Sequence, residues 1–245
     1  MGGARIRAGT SGWNRPAWRD TFYPPGLPQE RLLAWYARHF DTVEIWRTSY
    51  RAPGADTARK WREAVGEDFR FCLRYPRPAA ESLEADEAAD FHAFALELGG
   101  NAGPLLLTLD RRWGARNAAF VERFIERVPD GLRVAVDGRD PEVFTPGVRA
   151  AIAARGFGRV CGGDEYPPPR AGPLLVCVFG RRGEAGTASW AALVRRLGDV
   201  SEFYGLFTDE WEGFAPLSAL QFGLAAGAAV RDWRGRPPED DGRLF

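Results

Sequence analysis

A short apolar, β-rich run recurs eight times along this chain, and that recurrence leaves few folds open. The runs are "RIRAG" (5–9), "TVEIW" (42–46), "FRFCLR" (69–74), "GPLLLTLD" (103–110), "LRVAVD" (132–137), "GRVCG" (158–162), "LLVCVFG" (174–180) and "EFYGLF" (202–207). Seven are followed by amphipathic segments at helical spacing: 29–40, 56–66, 86–100, 117–128, 146–156, 188–198 and 215–228. In "QERLLAWYARHF", for example, Leu32, Leu33, Tyr36 and Phe40 fall on one face. The sixth run is followed instead by "GDEYPPPRAGP", too rich in proline for a helix. Strands alternating with helices favour a parallel sheet. Eight such units predict an α/β chain closed into a single TIM-like (β/α)8 barrel, with one helix replaced by a Pro-rich loop between strands 6 and 7. No linker-like break interrupts the pattern. Residues 1–245 are therefore expected to form one domain, with a core of about 5–230 and an irregular tail at 231–245.

The length, 245 residues, suits such a barrel, for which about 250 is typical. Rival α/β readings lose their usual supports. There is no GxGxxG after the first run and no GxxxxGK[ST] anywhere, so neither a dinucleotide fingerprint nor a P-loop is present. Basic and acidic residues balance at 33 each, so bulk charge advertises neither a nucleic acid nor a membrane. Lys60 is the only lysine, and the remaining cations are arginines, whose planar forks suit carboxylates and phosphates. Cys72, Cys161 and Cys177 lie in strand-like runs without close spacing, which predicts buried free thiols in a reducing compartment. "MGGARIRAG" carries no apolar signal region, and no stretch of 18 apolar residues occurs, so a cytoplasmic protein with no membrane partner is expected.

A barrel gives function an address at the C-terminal strand ends and the loops that follow them. "GTSGWNRPAWRDTFYP" (9–24) is then the first βα loop, and its aromatics are expected to line or roof the mouth. Glu44 sits inside an otherwise apolar second strand, where a carboxylate is costly unless paired or functional. Asp137 and Arg139 end strand five, Asp110 ends strand four, and Asp209 with Glu210 ends strand eight. Arginines gather at the same places: Arg47 and Arg51, Arg74 and Arg77, Arg111 and Arg112, Arg181 and Arg182. Trp13, Trp18, Trp46 and Tyr50 fall between them as stacking surfaces. His39 and His92 lie on helical segments, away from the strand ends, which leaves carboxylate and arginine chemistry.

Several motifs point to a family. "GTSGW", Trp18, "FYP" (22–24) and "VEI…T.YR.P" (43–53) resemble the domain-of-unknown-function 72, or YecE-like, family. Trp61, Phe69 with Phe71, "PR" (76–77), "GPL" (103–105) and Arg139 follow in the same order, so the resemblance runs over about residues 5–210. It implies a TIM-barrel fold and, as the family's name states, no assigned reaction. The chain resembles a divergent member. Trp46 stands where the family has asparagine, Arg74 where it has lysine, and Cys177-Val178-Phe179-Gly180 where it has "R.HG".

Three functions remain open. The first is an enzyme acting on a small anionic, phosphorylated or sugar-like, substrate. Glu44 and Asp137 would be its acid and base, Arg139, Arg74 and Arg51 its anion clamp, and Trp13, Trp46 and Tyr50 its walls, with Arg47 and Asp209 as further substrate-binding residues. It calls for no cofactor, and Mg²⁺ between Glu44 and Asp137 is the only metal suggested. The second is a barrel that has lost its chemistry and serves as a binding or partner-docking protein. The third is a nucleic-acid binder or nuclease, resting on arginines interleaved with aromatics.

Overall fold

A computed structural model describes residues 4–46, 48, 52–162, 172–180, 184–208 and 213–234. Eight parallel strands close into a barrel, each pairing with the next and the last with the first. They are β1 (Arg5–Ser11), β2 (Thr42–Ile45), β3 (Arg70–Arg74), β4 (Ala102–Leu109), β5 (Val134–Gly138), β6 (Gly158–Gly162), β7 (Leu174–Phe179) and β8 (Glu202–Phe207). The helices around it are α1 (Leu32–Ala37), α2 (Ala55–Glu63), α3 (Arg77–Ser82), α4 (Ala85–Glu97), α5 (Ala118–Arg127), α6 (Pro146–Ala154), α7 (Glu184–Val194) and α8 (Ala215–Ala226). The proline-rich stretch expected between strands 6 and 7 falls on 163–171, outside the described residues.

Side chains alternate between two apolar compartments, as a closed sheet requires. Cys72, Leu106, Ala135, Val160, Val176, Tyr204 and Leu206 pack together within the barrel. Their strand neighbours Leu73, Leu105, Leu107, Val134, Val136 and Cys177 pack outward against the helices. The same parity turns Ser11, Glu44, Arg74, Thr108 and Asp137 inward near the C-terminal ends, beside and above the apolar plug. At the opposite end Arg7 is buried, with Nη1 donating to the Asp68 carbonyl at 2.6 Å and to Asp41 Oδ2 at 3.2 Å. Arg133 pairs there with Glu202 at 2.7 Å. β1 runs so close to β2 that a Cβ on Gly9 would meet the Thr42 carbonyl oxygen at 1.9 Å. Only glycine fits at that point.

The structure departs from the sequence expectations in four places. Arg77–Ser82 is an additional short helix, started by Pro78 in its first turn, where proline has no needed amide to lose. Most aromatics of the first βα loop are core rather than pocket wall. Trp18, Phe22 and Tyr23 are buried, and Phe22 makes ring contacts with Tyr36, Phe40 and Trp233. The start of the supposed tail is docked. Trp233 donates from Nε1 to the Thr21 carbonyl at 3.3 Å, and the Arg231 amide donates to the His39 carbonyl at 2.9 Å. Finally, Cys161 and Cys177 are disulfide-bonded rather than free, with Cα atoms 4.8 Å apart. Barrel closure pairs them directly across β6 and β7, and their spacing of 16 residues gave no hint of it. Cys72 is the one free thiol, and burial pushes its pKa up to about 12.

Candidate functional site

Glu44 is wholly buried, so its charge must be met by protein groups alone. Ser11 Oγ, on the neighbouring strand and in register with it, donates to Oε2. Arg74 Nε donates to Oε1 at 2.5 Å from the strand on the other side. From there the network continues around the barrel. Arg74 Nη1 donates to Thr108 Oγ1 at 3.1 Å, and Thr108 Oγ1 donates to Asp137 Oδ2 at 3.2 Å. Arg139 Nε stands 3.9 Å from the same carboxylate oxygen. Ser11, Glu44, Arg74, Thr108 and Asp137 thus come from five consecutive strands. Each is the inward-facing residue near its strand's C-terminal end.

The loop after β2 fixes the near wall. The buried Thr48 hydroxyl lies 2.9 Å from the Ile45 carbonyl and 2.8 Å from the Arg74 carbonyl, sharing its proton between them. This ties Thr48 to β3, and Trp46 lies half exposed, 51%, beside the Arg74 guanidinium, whose carbon lies 5.2 Å from the ring centroid. A cleft of about 890 Å³ opens here, lined by Trp46, Arg74, Tyr75, Arg77, Ala80, Glu81, Thr108, Asp110, Arg111 and Arg139. Its volume falls within the range usual for small-molecule sites. Arg74 lines this space, and among the described residues no hydrogen bond engages its Nη2.

The sequence-derived candidates divide three ways. Glu44, Arg74, Asp137, Arg139 and Trp46 are brought together. Trp13 is placed elsewhere; it packs edge-on against Trp61 of α2, with ring centroids 5.3 Å apart, and does not line the cleft. Arg47, Tyr50, Arg51 and Asp209 lie outside the described residues, as do Arg181, Arg182 and Glu210. Asp110 is at the rim, held by Arg112 at 2.6 Å. His92 is buried against Tyr75, whose hydroxyl is 2.8 Å from Nε2, and burial lowers its pKa to about 4. His39 Nδ1 meets the Arg231 carbonyl at 3.1 Å. Ser11 and Thr108, the two hydroxyls that link the charged groups, are site residues that sequence reasoning missed. No cluster of three or more His, Cys, Asp or Glu side chains able to hold a metal occurs among the described residues.

Comparison with known proteins agrees with this architecture. The family model described as "Protein of unknown function DUF72" matches residues 7–241. UPF0759 protein YecE of Escherichia coli K12 is 28% identical over 156 residues, which is 62% of this chain and 55% of that protein. The match to the O157:H7 strain's protein has the same extent, so this chain spans about half the length of the curated relatives it matches. Among solved structures, a DUF72 family protein from Enterococcus faecalis V583 superposes with a TM-score of 0.70 at 17% identity, covering 92% of this chain and 99% of that one. A DUF72 family protein from Thermotoga maritima MSB8 gives 0.70 at 19% identity, covering 90% and 98%. At those identities the likeness shows the fold.

Proposed function

Because this chain belongs to the DUF72 family, which has a shared barrel and no assigned function, we propose from its own mouth residues that it binds and turns over a small anionic molecule carrying a ring. The observation that carries this reading is the state of Arg74. Glu44 fixes its Nε, Thr108 holds its Nη1, and Trp46 stacks beside it, yet no described residue engages Nη2, and Arg74 lines the cleft. A guanidinium immobilised before the ligand arrives loses little side-chain freedom on binding. The half-exposed indole next to it offers a sugar or planar ring a face to lie on.

Roles follow from exposure. Glu44 has no surface and both oxygens are engaged, so it acts as the anchor that aims Arg74. Asp137 is about a quarter exposed, 24%, and is the carboxylate placed to exchange a proton with a bound molecule. Arg139 and Arg111 complete the basic wall. Glu44's sealed environment also favours a second reading, a barrel that binds its ligand without chemistry.

The test is a thermal-shift and titration panel of phosphosugars, nucleotides, carboxylates and short oligonucleotides. A ligand at a hundredfold its Kd adds about 2.7 kcal/mol. The shift should be lost in Arg74→Lys, which keeps charge but not the fork, and weakened in Trp46→Ala, whose own stability should stay within about 0.5 kcal/mol of wild type. A ligand recovered unchanged after prolonged incubation points to the binding-only barrel. A shift insensitive to both substitutions sinks the site assignment.

A further inference from the structure

The arginines around the cleft are not equivalent. Arg74 and Arg77 each have a carboxylate oxygen at 2.5 Å, from Glu44 and Glu81 respectively. Asp110 is taken by Arg112 at 2.6 Å. Arg111, by contrast, makes no hydrogen bond or ion pair with any described residue, and among the described residues Arg139 is paired with the Asp137 carboxylate at 3.9 Å, beyond hydrogen-bond reach. These two cations are also neighbours. Leu109 and Gly138 pair across β4 and β5, and the Arg139 amide donates to the Leu109 carbonyl at 3.0 Å, two residues before Arg111. Both side chains line the cleft that Arg74 and Trp46 line.

Among the described residues, the site therefore holds one unpaired guanidinium, Arg111, beside a second, Arg139, that is only loosely paired with Asp137, while the fork of Arg74 is already neutralised. A carboxylate, a sulfate ester or a phosphodiester brings a single negative charge and would leave one guanidinium unmatched. A phosphate monoester brings nearly two charges and three acceptor oxygens to one centre, enough for both forks. From this, and resting on the anion-binding reading above, we infer that the ligand is a phosphate monoester in its dianionic form, seated between Arg111 and Arg139 with its ring on Trp46.

The test compares phenyl phosphate with phenyl methyl phosphate by isothermal titration of the intact protein. The two probes share a ring, but the methyl ester cannot carry the second charge. Phenyl phosphate should bind about tenfold tighter or more at pH 7.5, the worth of one further charge-assisted hydrogen bond. That advantage should shrink as pH falls through the probe's second ionisation at about 6. Arg111→Gln and Arg139→Gln should each weaken the monoester more than the diester, so that the gap between the two probes narrows. Equal affinity of the two probes in the wild-type protein overturns the dianion inference and leaves the small-anion reading standing. Binding of neither probe, with retained binding of a single-stranded oligonucleotide, overturns both.

Discussion

The Glu44–Arg74 pair is asymmetric, and the asymmetry has a measurable consequence. Glu44 has no exposed surface, whereas 16% of the Arg74 side chain is open at the cleft. Removing the arginine strands a carboxylate in a place water cannot reach, with only the Ser11 hydroxyl for company. Losing one partner of a buried pair in this way costs about 3–5 kcal/mol. Removing the glutamate leaves a guanidinium that can turn toward cleft water and keeps its bond to Thr108. The loss is then closer to that of one charge-assisted hydrogen bond, about 1.5–3 kcal/mol. Urea unfolding followed by circular dichroism should rank Arg74→Ala as the more destabilised variant. The double variant Glu44→Ala/Arg74→Ala should be more stable than Arg74→Ala alone, because it removes the stranded charge as well. A Glu44→Ala protein as unstable as Arg74→Ala, or a double variant worse than both, would refute the assignment of the glutamate as the trapped member.

Two further outcomes are expected. The Cys161–Cys177 bridge closes a short loop of 16 residues, for which chain-entropy estimates give about 3 kcal/mol; dithiothreitol should lower the melting temperature, and alkylation of the denatured, unreduced protein should label Cys72 alone, whereas three labelled cysteines would mean the bridge is absent in solution. His92 is held neutral by burial, its pKa lowered from 6.5 to about 4, so the stability it contributes is full above pH 6.5 and is lost as pH falls toward 4. Asp41 works the opposite way, since burial lifts it to about 6 and its contribution is lost as pH rises through that value. His92→Gln should therefore flatten the fall in stability between pH 6.5 and 4, and Asp41→Asn should steepen it; unchanged slopes in both would show that neither group is buried as described.

The barrel was legible because parallel strands covered by helices read as short apolar runs, and each run predicted here lies within two residues of an observed strand. Glu44 was legible for the same reason, as a charge out of place in "TVEIW". The hydroxyls were not. Ser11 and Thr108 are ordinary in their own segments and acquire meaning only when closure sets five strand ends side by side. The disulfide was hidden likewise, because its pairing is a property of strand order and register. The aromatics of residues 9–24 misled in the other direction. Costly rings in an irregular segment suggested a pocket, but most were needed to give that loop a core of its own.

That aromatic core also links the order of synthesis to the order of folding. Phe22 and His39 receive Trp233, and the His39 ring waits 192 residues for the Arg231 carbonyl. The edge of β1 waits about as long for β8. On a translating ribosome, this protein therefore carries an unpaired strand edge and an uncovered cluster of rings until residues 202–233 have been made. Contacts this distant in sequence form slowly. Of all the segments in this protein, residues 5–40 are the ones a chaperone would have the longest time to find.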